Sequence, residues 1–354
     1  MAILLKENDL RIKGLQAFRD CISVAPALTI GTIETLIGPG NPDYRVSIQG
    51  NTFDQVMILE MKTLGTPKNI REAVNLLSLY QSSEPSCYGV VLAPFISPGS
   101  AEICKQAGVG YLDLSGNCRV AFQQVFINRE NMPNQFPFKI GLSSLYSPKS
   151  ERVLRVLLTF PFRIWKTVEL AHEAGVSLGM ITHIRNNLDQ QEWIQKTGAG
   201  FFLAQPEKLL MDWSENFAFL RNTQFNYYSP KSQVEIEIEI AEACAGLNIP
   251  YALTGFSGSN RLAPIVRGQR VMVYVSQELA AVAERVGLKS VDSGANVVFF
   301  QPYDAGVFWK SQPIHGIQTA TPIQVYLDLK QFSGRGDEAA EFLFKEVIKP
   351  GWKP

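Results

Sequence analysis

A multidomain α/β protein is the fold class the sequence predicts, and three observations carry that expectation. At 354 residues the chain is longer than a single hydrophobic core comfortably fills. Apolar residues recur with period 2 in some stretches and at helical spacing in others, and the two patterns alternate along the chain. Ser-Pro occurs twice just ahead of a new helical pattern, in "LSSLYSPKSERV" and "YYSPKSQVEIEI". The residue before proline is biased away from helix, so Ser147 and Ser229 mark boundaries. The expected division is 1–145, 146–226 and 227–354.

Composition removes several classes. Lys+Arg and Asp+Glu both number 33, so whole-chain charge supplies no attraction for nucleic acid and any such contact needs a local patch. Cys21, Cys87, Cys104, Cys118 and Cys244 form no CxxC pair, and with three separated histidines they give neither a zinc signature nor a disulfide framework. A reduced, cytoplasmic setting is the expectation. No run approaches the ~18 apolar residues of a membrane span. "MAILLKENDLRIKGLQAF" turns polar by Lys6 and reads as an amphipathic helix, not a signal peptide.

In the first segment, "YRVSIQ" and "FDQVMILEMK" flank Gly50-Asn51, a hairpin signal. "KNIREAVNLLSLYQS" places Ile70, Val74, Leu77 and Tyr80 at helical spacing. "YGVVLAPFI" is a short apolar strand, "SPGSAEICKQAG" a capped helix ending at Gly108, and "VGYLDLSGNCRVAF" reads as a further strand. Along "MILEMK", Ile58, Glu60 and Lys62 share one face while Met57, Leu59 and Met61 share the other. A turn around residues 50–53 sets Asp43 nearly opposite Glu60, and cross-strand neighbours lie about 5 Å apart. Two carboxylates with a lysine beside them suit a magnesium ion, which takes one or two carboxylates and keeps several waters. The lysine would steady an oxyanion or an attacking water. Asp54 is the competing first acid, and it lies closer to the turn and farther from Glu60. The plainer alternative is that Glu60 and Lys62 are solvated side chains of an edge strand, or the remnant of a lost site. Asp113, Ser115 and Asn117 either line the same groove or end a strand in an Asx turn.

Pro42-Asp43 followed by "EMK" at Glu60 to Lys62 resembles the PD-(D/E)xK motif, and the order of elements around it resembles restriction-endonuclease-like folds. That resemblance implies a magnesium-dependent DNA endonuclease if the site is active, with Asp43, Glu60 and Lys62 as its catalytic residues and Asp43 and Glu60 as the metal ligands.

The middle segment reads as three helices and a glycine-tipped hairpin, the order of a winged helix. "KSERVLRVLLTF" is the first helix, "KTVELAHEAG" the second, and "VSLGMITHIRNNLDQQEW" the third, with Ser177 as its N-cap. Ile181, Ile184 and Leu188 define the inward face of the third helix. Its other side offers Thr182, His183, Arg185, Asn186 and Asn187, side chains able to hydrogen-bond base edges or phosphates of double-stranded DNA. Lys196, Thr197 and Gly198 form the wing tip, suited to phosphate or minor-groove contact. Glu169, Glu173, Asp189 and Glu192 temper the local field. Such domains also serve protein contact, which is the competing use.

In the last segment "TGFSGS" follows a strand and precedes a short helix, and it resembles the Gly-Ser element of nucleotidyltransferases. Active members place two alternating acids on the next strand, where this chain has Val271, Met272, Val273 and Tyr274. Without metal ligands the resemblance implies a non-catalytic, degenerate nucleotidyltransferase-like α+β domain. "YALTG", "PIQVYLDL" and "GRGDEAAE" resemble the AbiEi-type antitoxins, the transcription-regulating halves of type IV toxin–antitoxin systems. This implies a winged-helix regulator of its own operon and a cognate toxin encoded nearby as a candidate partner. The N-terminal domain departs from that plan. Oligomeric state is left open.

Overall fold

The structure is a computed structural model describing residues 6–38, 40–136, 145–264 and 270–352. It divides into two compact units, one of Met1–Gly141 with Asn186–Glu192, the other of Leu142–Arg185 with Trp193–Pro354.

The first unit opens with helix α1 (Glu7–Ser23), followed by β1 (Thr29–Thr35), β2 (Tyr44–Gln49) and β3 (Asp54–Met61). Helix α2 (Pro67–Ser83), β4 (Cys87–Ala93), α3 (Pro98–Gln106), β5 (Gly110–Asp113), β6 (Cys118–Phe122) and β7 (Val125–Arg129) complete it. The strands lie side by side in chain order in one seven-stranded sheet. β2 and β3 pair antiparallel, β3, β4 and β5 run parallel, and β5 to β7 return antiparallel. The parallel core follows from the crossover helices between those strands, each returning the chain to the same edge.

Alternation along β3 decides which helix covers which face. Met57 and Leu59 pack with Phe18, Cys21 and Ile22 of α1. Ile58 packs with Ile70, Ala73, Val74 and Leu77 of α2 and Ala101 and Cys104 of α3. The single strand expected after Gly108 is two strands, β5 and β6. Asp113 breaks them: it is 2% exposed and accepts from the Asn117 N–H (2.9 Å), Asn117 Nδ2 (2.9 Å) and the Ile96 N–H (3.0 Å). Asp113 therefore closes a turn and does not line a groove.

The second unit begins with α4 (Pro148–Thr159), whose N-cap position is Ser147, then α5 (Thr167–Ala174) and α6 (Leu178–Gln190), whose residues from Asn186 on are counted with the first unit. Strands β8 (Ile194–Thr197) and β9 (Gly200–Leu203) form a hairpin that turns between Thr197 and Gly200. Trp165 bridges to Phe201 as a short third strand. Gly200 is required there: its φ is +157° and a Cβ would meet the Trp165 carbonyl at 2.3 Å.

Helix α7 (Pro206–Asn216) and strand β10 (Thr223–Tyr228) follow. β10 pairs with a strand of the C-terminal sheet, so that sheet recruits chain from Thr223, ahead of the punctuation at Ser229. Next come α8 (Gln233–Leu247), β11 (Tyr251–Leu253), α9 (Gly255–Leu262), β12 (Val271–Val275), α10 (Leu279–Val286), β13 (Lys289–Ser290) and β14 (Val297–Gln301). β15 (Gln312–Ile314), β16 (Ile317–Thr319), α11 (Pro322–Leu329) and α12 (Arg335–Leu343) close the domain. The sheet order is β13-β10-β14-β12-β11-β16-β15, with β11 antiparallel and β14 parallel to β12. No helix among the described residues is long and apolar enough to cross a membrane.

Candidate functional site

Strand β3 is internal, paired on both sides, so Glu60 is not an edge residue; it is 6% exposed. Tyr44 pairs with Leu59, and the next step along this antiparallel pair sets Asp43 against Glu60. Asp54 pairs with Gln49 at the far end of β3. Lys62 Nζ lies 3.0 Å from Glu60 Oε1. Asp43 Oδ2 accepts from the Met61 N–H at 2.8 Å, and its Oδ1 lies 3.4 Å from Arg11 Nη2. Arg11 in turn reaches Glu7 at 2.8 Å. The structure thus gathers Asp43, Glu60 and Lys62, with both oxygens of Asp43 and Oε1 of Glu60 already engaged. Burial pushes the Glu60 carboxyl above its ordinary range, and the hydrogen bond from Lys62 opposes the rise. Among the described residues no group of three or more His, Cys, Asp and Glu converges as a metal site.

In the middle helical segment, Ser177 Oγ accepts from the Met180 N–H at 3.3 Å, capping α6. Ile181, Ile184 and Leu188 are all 1% exposed or less, fixing the inward face. Thr182 and Asn186 are exposed, while His183, Arg185 and Asn187 are half-buried. Thr182 Oγ1 donates back to the Leu178 carbonyl at 3.1 Å, leaving its lone pairs to accept. Lys196 is exposed on β8. Within the first unit, Lys68 Nζ pairs with Asp189 Oδ2 at 2.8 Å, Arg71 makes a fork to Glu192 at 2.8 and 3.0 Å, and Thr66 Oγ1 donates to Gln190 Oε1 at 3.0 Å. The acids at the end of this helix are therefore neutralised by partners.

The C-terminal domain holds a buried polar network where the sequence pointed to missing acids. All of β12 is buried, and Thr254 and Ser257 are 0% exposed. Gly255 takes φ +51° against the Met272 sulfur, 2.7 Å from where a Cβ would stand. Thr254 Oγ1 hydrogen-bonds Asp328, whose Oδ1 also accepts from Tyr274 OH and Gln324 Nε2, both at 2.9 Å. Ser257 Oγ accepts from the Met272 N–H at 3.0 Å. The Thr254 and Ser257 hydroxyls of "TGFSGS" are thus engaged within the protein's own interior. Arg155, 1% exposed, donates to Gln324 Oε1 through Nε (2.9 Å) and Nη2 (2.6 Å), and lies 3.7 Å from Glu151 Oε2. Glu151 accepts from Tyr303 OH.

Sequence reasoning passed over Arg155, Asp328 and Arg11. The first two had a readable signal: an arginine inside "VLRVLL" and an aspartate inside "VYLDL", charges in otherwise apolar helical runs.

Burial pushes the Asp328 carboxyl up to about 7, against the hydrogen bonds from Thr254, Tyr274 and Gln324. Glu60, Asp113, Glu151 and Asp212 are also raised by burial. An acid whose folded pKa is raised binds more protons folded than unfolded, so stability falls as pH climbs from the ordinary carboxylate range toward the folded value. Glu84 and Glu130 are lowered by Arg45 and Lys105, and their contribution is lost on strong acidification. Thermal unfolding should therefore show a higher Tm near pH 5.5 than at pH 8, by a few degrees. Asp328→Asn should flatten that slope; an unchanged slope would show that Asp328 does not drive it.

Residues 203–349 match the family model described as "Transcriptional regulator, AbiEi antitoxin, Type IV TA system". The matched region runs from the end of β9 through the C-terminal sheet to the residues after α12. It contains Thr254, Tyr274, Gln324 and Asp328 of the buried network, but neither the acid cluster nor helix α6. No curated protein and no solved structure matches the chain.

Proposed function

We propose that this chain is a DNA-binding transcriptional regulator of the type IV antitoxin kind, which recognises duplex DNA through α6 and the β8–β9 wing. The observation that carries the reading is the two-sided character of α6. Its apolar side is sealed into the core, and Thr182, His183, Arg185 and Asn186 lie on its other side, two strands ahead of a region matching antitoxin regulators. In a winged helix the third helix enters the major groove and the wing follows the backbone, placing Arg185 against guanine, Asn186 and Asn187 against adenine, and Lys196 on phosphate. The C-terminal domain acts as a silenced nucleotidyltransferase-like body. Its strand β12 presents Val271, Met272, Val273 and Tyr274 in place of metal-binding acids, and Asp328 accepts from Thr254 at the start of the Gly-Ser turn. The antitoxin family implies a cognate toxin as partner. A mobility shift with the DNA upstream of this reading frame tests the regulator: a discrete, competitor-resistant complex is expected, and only salt-sensitive non-specific binding would reject it.

The acid cluster favours a second reading, a magnesium-dependent nuclease on a restriction-endonuclease-like domain. Its support is the sheet register that sets Asp43 against Glu60 with Lys62 3.0 Å from the latter. Asp43 and Glu60 would hold the ion, which supplies charge stabilisation to a phosphoryl group when bound; Lys62 would orient the attacking water. On this reading Glu60→Ala abolishes magnesium-dependent nicking of plasmid DNA. Wild type that leaves a panel of duplexes uncut in magnesium and manganese removes it.

A further inference from the structure

The loop that joins β14 to β15 grips the helices that precede the β8–β9 hairpin. It leaves the C-terminal sheet after Gln301, makes a 3₁₀ turn over Ala305–Phe308 and re-enters at Gln312. Tyr303 OH donates to Glu151 of α4. Asp304 takes a fork from Arg152 on the same helix, with Nε 2.8 Å from Oδ1 and Nη2 2.9 Å from Oδ2. The Asp304 side chain is 8% exposed, and its Oδ1 also accepts from the Gly306 N–H at 2.7 Å, which caps the 3₁₀ turn. Lys310 Nζ lies 4.5 Å from the centre of the Phe160 ring, at the C-cap of α4, and 3.9 Å from Glu173 Oε1 of α5. The remaining guanidinium nitrogen of Arg152, Nη1, stands 3.8 Å from the Cβ position of Gly175. Gly175 is the left-handed C-cap of α5, two residues ahead of the Ser177 cap of α6. Arg152 is thus held between the loop carboxylate and the turn that joins α5 to α6. A bidentate fork fixes the plane of a guanidinium as well as its place, which a lysine ammonium cannot copy.

We propose that Arg152 and Asp304 are positioning residues for DNA reading: through them the β14–β15 loop clamps α4 and the α5–α6 turn, so the C-terminal domain sets how α6 is presented. The inference rests on the regulator reading above. Residues 203–349, which match the antitoxin regulators, contain the loop but none of α4, α5 and α6, so the clamp is where the matched region takes hold of the helices ahead of it. Neither side chain has to touch DNA. Base readout depends on where the reading helix stands, whereas phosphate attraction depends on charge and tolerates a displaced helix. Loosening the clamp therefore lowers discrimination between duplexes and leaves non-specific binding and its salt dependence as they were.

The test compares the full-length wild type with Asp304→Asn and Arg152→Lys, which keep side-chain bulk but lose the fork. Hydrogen exchange read by mass spectrometry reports on the helices, and anisotropy reports on DNA, using the duplex upstream of this reading frame and a scrambled duplex of the same composition. In both variants the amides of residues 167–185 should exchange about tenfold faster or more, while α8 and β12 keep their wild-type protection. The affinity ratio between upstream and scrambled duplex should fall about tenfold, with the salt slope on the scrambled duplex unchanged. Unchanged exchange over 167–185, equal acceleration throughout the second unit, or faster exchange with an unchanged affinity ratio overturns the proposal. Wild type that binds both duplexes alike strikes the regulator reading itself, and the exchange map still accepts or rejects the clamp.

Discussion

Arg155→Ala should destabilise the second unit by about 3–5 kcal/mol, the cost of stripping one partner from a buried charge pair. The residue is 1% exposed, and it faces Glu151 at 0% exposure, Gln324 and the Trp213 ring, 5.2 Å from its guanidinium carbon. Removing it leaves the buried Glu151 carboxylate with the Tyr303 hydroxyl and only the weaker influence of Arg221 as counter-charge. Burial already holds that carboxyl above its ordinary range, so the variant should shed the charge by taking up a proton. The destabilisation should consequently shrink at low pH. Urea unfolding followed by tryptophan fluorescence isolates the effect, because all five tryptophans (Trp165, Trp193, Trp213, Trp309 and Trp352) fall in the second unit. A companion Glu151→Gln change should recover part of the loss in a double-mutant cycle. A change below about 1 kcal/mol would mean that Arg155 does not hold α4 to α11 through Gln324.

Arg185→Ala should weaken sequence-specific DNA binding by about 1–3 kcal/mol, roughly 5- to 150-fold, and relax the preference at the base it reads. Its Nε is buried without a partner while the residue as a whole stays half-buried. Lys196→Ala provides the contrast. As a backbone contact it should lower affinity evenly across sequences and reduce the salt slope by about one. Fluorescence anisotropy at several salt concentrations separates the two. Equal affinity of wild type and Arg185→Ala for the preferred duplex would remove Arg185 from the interface.

Element type was legible wherever a local signal existed. The Gly50-Asn51 turn, the helix over Ile70 to Tyr80, the cap at Ser177 and the Thr197–Gly200 hairpin rest on turn chemistry and periodicity, and each lies where those signals put it. The register of β2 on β3 was legible for the same reason, since a tight turn leaves little choice of pairing. What escaped was non-local. Strand β1 reads "TIGTIET", an exposed edge with no apolar alternation to announce it. β10 joins a sheet whose other strands lie far along the chain, a choice made by partners and not by its own sequence. The buried network was half-visible, because a lone Arg in "VLRVLL" shows that a charge is buried without naming the Gln324 and Asp328 that answer it 169 and 173 positions later.

The central claim is that duplex DNA is read by the outward side of α6, and selection from a randomised duplex library by the full chain tests it most directly. The account predicts that wild type enriches a short motif, and that a Thr182→Ala/Arg185→Ala/Asn186→Ala variant with an unchanged urea midpoint loses at least about tenfold in discrimination for it. A library that yields no motif, or a motif bound equally well by the triple variant, would contradict it.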